Sequence, residues 1–285
     1  LRLLFLLGNA LFVFNGVSIL ADISGLYRVF SRDEQAGLAP AALQWVDYLA
    51  LGETSEAGHA RQASEAYWKE IFASQTPQLE LPADFPRPPV KRYSGSRMAI
   101  PLDPELVGRL ESWATAAGTD LNTLLFGALT AYLPRLSGQA ELVIGVESQP
   151  LYPNTSLPAI ASTRNVLPVR SSYDPEATFQ DHLRAQVELL DRAQTHRHLS
   201  LAELIQLLQL PRDQSRSALF SAAWRTWAMP AAPIFETTLK DSAASRQVGL
   251  ESNFLLPPSS GARYDLEVIA ATLDGGRWLV CDYST

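Results

Sequence analysis

LELPADFPRPPVKRYSGS, residues Leu79 to Ser96, decides how this chain divides. Its four prolines fix φ and remove backbone donors. The residue before each is pushed to extended backbone. Helix and inner strand are therefore excluded across the stretch, and it reads as a crossing between two lobes. On its N-terminal side, Ala41 to Leu51 and Ser55 to Phe72 are helices, with Ala63, Ala66, Tyr67, Trp68 and Ile71 expected to face a core. On its C-terminal side, Arg97 to Pro101 is a strand. Asp103-Pro104-Glu105 then opens a helix with Pro in its first turn, faced by Leu106, Leu110 and Trp113 and closed by Gly118.

Further on, Thr119 or Asp120 caps a helix whose stripe is Leu121, Leu124, Leu125, Ala128 and Tyr132. Leu142 to Val146 is an all-apolar run typical of a strand buried on both faces. Val166 to Arg170 is a second strand, and its Pro168 points to an edge or a bulge. Thr178 to Ala193 places Phe179, Leu183, Val187 and Leu190 in helical register. Ser200 to Glu203 is a capping box before another helix. Ala218 to Trp227 reads as a strand, and Met229 to Ser260 as irregular. Tyr264 to Thr272 and Arg277 to Tyr283 are strands joined at Asp274-Gly275-Gly276, a hairpin signal. Helices alternating with isolated strands and a closing hairpin give an α/β (α+β) class with helices layered on sheet.

The 285 residues carry 47% hydrophobic and 19% charged side chains and a net charge of -7. That balance gives nucleic-acid binding no electrostatic support. The single cysteine, Cys281, excludes an internal disulfide framework and a cysteine-rich zinc site, which suits a reducing, cytoplasmic setting; its strand position reads as packing. Leu3 to Leu20 holds no charge and is long enough for a membrane helix. Gly8-Asn9 and Asn15-Gly16 cut it into strand-length pieces, so it is read as a buried strand and turn with no membrane role. It begins in mid-strand, so more of the same lobe is expected before it. Val17 to Phe30 follows with helical spacing.

No phosphate loop, HExxH, GxSxG or EF-hand pattern is present. His196 and His198 sit at a helix end, where the dipole favours histidine, and no third metal ligand accompanies them. His59 and His182 lie in polar helix surroundings and read as solvent-facing. Carboxylates are scattered, with no pair singled out for acid–base work.

Whole segments carry a stronger signal. Trp45-Val46-Asp47-Tyr48, then Tyr67-Trp68 with Leu79 to Pro88, stand in order. Leu142 to Val146 with Glu147-Ser148, Asn165-Val166-Leu167 and His196 to Leu204 follow. Arg212-Asp213-Gln214-Ser215-Arg216-Ser217-Ala218-Leu219-Phe220, Tyr264-Asp265-Leu266 and the final Asp282-Tyr283-Ser284-Thr285 complete the series. In this order and spacing the chain resembles the condensation domain of nonribosomal peptide synthetases, over essentially its full length.

The resemblance implies a chloramphenicol-acetyltransferase-like fold of two lobes with an active-site tunnel between them. Residues 1–86 would be the remnant of the first lobe and 87–285 the second. It implies amide-bond formation between substrates held on the phosphopantetheine of carrier-protein domains, with no cofactor bound directly. Partners would be carrier domains and adjacent synthetase modules.

The family's HHxxxDG motif falls on Ala10 to Gly16. Both histidines are absent, Leu11 stands at the base position and Asn15 replaces the aspartate. Gly16 remains for the tight turn, and Ser18 follows. Asn165 is implied in the substrate tunnel, and Arg212, Asp213 and Arg216 as structural residues. A general base contributes ~10²–10⁴-fold, so the expectation is an impaired or non-catalytic module serving carrier-protein or partner binding. The alternative is an active condensation domain; a free-standing acyltransferase using coenzyme A would need a base of its own.

Overall fold

A computed structural model of the chain describes residues 46, 50, 54–148, 165–210, 213–228, 261–273 and 275–285. The reading of Leu1 to Phe30, the histidine-motif position included, lies outside these residues. So do most of Ala41 to Leu51 and most of Met229 to Ser260.

Among the described residues six strands form one mixed sheet: β1 (Gly95–Pro101), β2 (Glu141–Glu147), β3 (Val166–Ser172), β4 (Ala222–Ala228), β5 (Leu266–Leu273) and β6 (Gly276–Ser284). Their order is β1-β6-β5-β4-β2-β3. The central pairs β2/β4 and β4/β5 are parallel, and the outer pairs are antiparallel. Pro168 lies on the edge strand β3 opposite Gly145, where a missing N–H is tolerated. The β5–β6 hairpin turns at Gly275, whose φ of +75° glycine adopts without cost.

Five helices described along their whole length accompany the sheet: α1 (Ser55–Ile71), α2 (Pro104–Ala116), α3 (Leu121–Ser137), α4 (Phe179–Thr195) and α5 (Leu201–Leu208). Their starts are set by side-chain caps: Thr54, Asp103, Asp120, Thr178 and Ser200 each accept a backbone N–H of the first turn. Ser200 and Glu203 complete the capping box.

Successive strand residues face opposite sides, and β3 shows what lies on each. Ser171 Oγ donates to Gln186 Oε1 of α4. Its neighbour Arg170 donates to the Ile71 carbonyl at the end of α1. The sheet is thus the middle of three layers, with α3 and α4 on one face and α1 on the other. Phe126 of α3 meets Trp224 of β4, ring centroids 6.0 Å apart. On the opposite face Phe220 lies against Gly145 of β2. Buried apolar positions from both layers join in one core around Trp68, Leu79, Phe126, Leu142 and Ile144. α1 and Leu79, on the N-terminal side of the Pro86 boundary, pack into that same core.

Four expectations are corrected by packing. In α1 the buried positions include Ser64 and Trp68, with Phe72 just beyond its end, while Ala63 and Ala66 are exposed. Ser64, Trp68 and Phe72 recur four residues apart and so share the inward face, which Ala63 and Ala66 miss. In α3, Ala128 and Tyr132 are exposed, and Phe126, Thr130, Ala131 and Leu133 are buried. This helix is gripped on two sides, by the sheet and by α4, and a single stripe underestimates it. Strand β4 begins at Ala222; Ala218 to Ser221 lie outside it, in the loop that brings Phe220 onto Gly145. His182 is buried, not solvent-facing. Its Nε2 lies 3.0 Å from Thr130 Oγ1, because Gly127 lets α4 approach so closely that an added methyl would stand 2.7 Å from Leu183.

Among the described residues no helix is long and apolar enough to cross a membrane.

Two outcomes follow from this packing. A methyl placed on Gly145 would stand 2.1 Å from the Phe220 ring. Gly145→Ala is expected to cost about 1–3 kcal/mol through overpacking, read as a lower urea midpoint and partly recovered by Phe220→Leu in the same chain. Burial above all, with the Arg135 cation adding to it, holds the His182 pKa below its ordinary value against the opposing pull of the Gly127 carbonyl. Above pH ~6.5 both folded and unfolded forms carry a neutral imidazole. Below it the unfolded chain takes the proton first, so stability drops with pH until the folded pKa is reached. The urea midpoint of the wild type should therefore fall more steeply below pH ~6.5 than that of His182→Gln.

Candidate functional site

Asn165 immediately precedes β3, and its amide works as a clamp. Its Nδ2 donates to the Leu199 carbonyl. Its Oδ1 accepts from Val166 N at 2.8 Å and from Leu201 N at 3.1 Å. Its own N–H donates to Ser148 Oγ at 2.9 Å, and the Ser148 N–H returns to its carbonyl at 2.8 Å. One residue thereby joins the end of β2, the start of β3 and the first turn of α5. The tunnel residue implied by resemblance thus turns its polar groups to backbone.

Asp213 and Arg216 sit in a second cluster. The Asp213 carboxylate accepts from Ser215 N at 2.8 Å and Ser215 Oγ at 2.6 Å. Arg216 lies between Glu80 at 2.5 Å and Asp213 at 3.3 Å. Neither its Nε nor its Nη1 has an acceptor in line, so charge rather than directed bonding holds it. Close by, Arg87 pairs with Asp265 at 2.5 Å and donates to the Ser215 carbonyl. The Lys91 N–H donates to the Gln214 carbonyl at 2.7 Å. Three segments far apart in sequence thus meet in one network. Asp265 belongs to Tyr264-Asp265-Leu266, Arg87 and Glu80 to the proline-rich stretch, and Asp213 and Arg216 to the RDQSRSALF stretch. Asn15, Gly16, Ser18, Leu11 and Arg212 lie outside the described residues.

A third group escaped sequence reading. Glu147, Arg225, Glu267, Asp282 and Arg97 come from five strands, and the register aligns them across one face of the sheet. Arg97 meets Asp282 through two bonds of 2.6 Å. Arg225 reaches Glu267 at 3.7 Å and Glu147 at 3.8 Å. Burial raises the Glu267 pKa above the usual carboxylate range, Arg225 opposes this, and the Asp282 charge adds to it. The five are spread over five strands far apart in sequence, and only the pairing register brings them together. No group of three or more metal-ligating side chains is placed to hold an ion among the described residues. His196 instead stacks on Tyr67, centroids 4.2 Å apart.

The family model of the condensation domain matches residues 13–285. The chain belongs to the condensation-domain family. Similarity to curated synthetases agrees with that assignment. Surfactin synthase subunit 1 of Bacillus subtilis (strain 168) is 31% identical over 276 residues, covering 95% of this chain and 7% of that protein. Bacitracin synthase 3 of Bacillus licheniformis is 30% identical over 183 residues, covering 64% of this chain and 3% of that protein. The chain therefore spans a small fraction of these relatives. Solved structures share its fold. The condensation domain of the Monacolin K polyketide synthase MokA has a TM-score of 0.74 at 18% identity, over 95% of this chain and 61% of that one. The X-domain in complex with OxyB from teicoplanin biosynthesis has a TM-score of 0.73 at 20% identity, over 94% and 59%. The α/β, chloramphenicol-acetyltransferase-like architecture of condensation domains is thus the architecture of this chain.

The clamp predicts a specific response. Asn165→Ala removes three bonds at a half-buried position and is expected to cost about 1–3 kcal/mol of stability. Asn165→Asp keeps both acceptor bonds but sets a carboxylate against the Leu199 carbonyl. Its loss should shrink on acidification, as the protonated acid can donate there. Urea midpoints at two pH values, compared with wild type, check both.

Proposed function

We propose that the chain is the condensation-domain part of a nonribosomal peptide synthetase, and that this copy binds carrier-protein domains or a protein partner rather than forming amide bonds. One observation carries the reading: Ala10 and Leu11 stand where the family places its histidines, and Asn15 where it places its aspartate. Leucine has no group that accepts a proton. Elsewhere in the chain the segments that carry the resemblance are built into the fold, with the Asn165 clamp and the Glu80–Arg216–Asp213 and Arg87–Asp265 pairs formed. Packing groups that persist where chemical groups are gone fit a surface that still docks its partners. The relatives are multidomain synthetases, which supports carrier domains bearing phosphopantetheine-tethered substrates as the partners. The fold's occurrence in an X-domain solved with OxyB supports docking of a separate protein as a second use of the same architecture.

The test takes the intact synthetase module with its donor and acceptor carrier domains loaded, and follows dipeptide by mass spectrometry. Carrier binding without dipeptide is the expected outcome. Leu11→His with Asn15→Asp in the same module supplies the missing base and reports whether the tunnel remains competent. Dipeptide formed by the unaltered module, at a rate that Asn15→Ala lowers, would overturn the reading in favour of an active amide-forming condensation domain.

A further inference from the structure

Beneath the proline-rich stretch lies a cavity of about 550 Å³, within the range that holds small molecules. Its walls come from four places in the chain. Val90, Lys91 and Tyr93 supply one side, and Leu201 and Ile205 of α5 another. The loop ending at Phe220, and Arg263-Tyr264 before β5, close the rest. None of these residues belongs to the histidine-motif position.

The charged groups on these walls are unequal in sign. Lys91, Arg216 and Arg263 face one carboxylate, Asp213. Arg216 is taken up by Glu80 and Asp213. Lys91 has no ion-pair partner among the described residues, although it is half-buried. Its Nζ is held in place by donating to Ser217 Oγ at 2.8 Å and to the Arg263 carbonyl at 2.6 Å. The ring centroids of Tyr93 and Tyr264 each stand 5.9 Å from it. An ammonium carries three N–H donors, so one remains. Burial lowers the Lys91 pKa, and the Asp265 carboxylate, already paired with Arg87, offsets this only in part; an anion in the cavity would relieve the rest of that cost. Apolar surface from Leu201, Ile205, Leu219 and Phe220 lies beside it.

We infer that this cavity binds a small organic carboxylate, its head group on Lys91 and Arg263 and its apolar body against Ile205 and Phe220. The remaining ammonium N–H and the exposed Arg263 guanidinium line the same cavity, and charged N–H donors of this kind suit a carboxylate. Asp213 on the same wall works against a dianion such as phosphate. The site stands apart from the condensation reading, and it would serve an active and an inactive domain alike.

Octanoate is the probe, with octanamide as its uncharged isostere and inorganic phosphate as the head-group control, each titrated calorimetrically into the full chain. Octanoate should bind, and octanamide and phosphate should bind at least about tenfold more weakly, the loss expected for a charge-assisted bond or for the apolar contact. Lys91→Gln and Arg263→Gln should each weaken octanoate by a comparable factor. Arg263 is exposed, so its variant keeps the test informative if Lys91→Gln fails to fold by circular dichroism. The inference is overturned by absence of octanoate binding, by equal binding of octanoate and octanamide, by phosphate binding as tightly as octanoate, or by an unchanged affinity in Arg263→Gln.

Discussion

The salt bridge between Arg87 and Asp265, with the Glu80–Arg216–Asp213 cluster beside it, is the constraint on which the rest of the described fold leans. Leu79 to Ser96 has few backbone bonds of its own, because its prolines donate none. Side chains must attach it. Glu80 and Arg87 do so by charge, Lys91 by its backbone N–H and its ammonium, and Leu79 by burial. The attachment points lie on the loop before β4 and at the start of β5. Fixing the stretch therefore also fixes Phe220 over Gly145 and seats the entry to both parallel strands.

The same attachment explains why these segments identify the family. Arg87, Asp213, Arg216 and Asp265 are more than a hundred residues apart at the extremes, yet each is answered by another charge of the network. Partly buried ion pairs of this kind are costly when one member is removed, since the other is left uncompensated. The set is accordingly a matter of architecture: it holds three distant segments together whatever chemistry the domain performs.

Much of the fold was legible along the chain. Local signals placed helix starts at Asp103 and Ser200, and narrowed a third to Thr119 or Asp120, of which the structure uses Asp120. Pro168 marked an edge strand, and Leu142 to Val146 marked a strand buried on both faces. Local rules govern each of these. The misjudged residues were those whose surroundings come from elsewhere. His182 sits among polar neighbours in sequence, but Thr130 and the close approach at Gly127 bury it. Glu147, Glu267 and Asp282 lie on three different strands and become neighbours only through register. Asn165 was singled out by resemblance to a family motif, while its clamp on Leu199 and Leu201 depends on the loop before α5 returning to β3.

What the sequence by itself determined is the set of elements, their caps and turns, and the family, because each rests on residue types within a few positions of one another. What tertiary structure decided is which side chains share an environment. The order β1-β6-β5-β4-β2-β3 aligns the buried charges, the three-layer packing encloses His182, and the folded-back proline-rich stretch roofs the cavity around Lys91. Burial and charge pairing act through space, and for these residues the partner lies too far along the chain for spacing to reveal it.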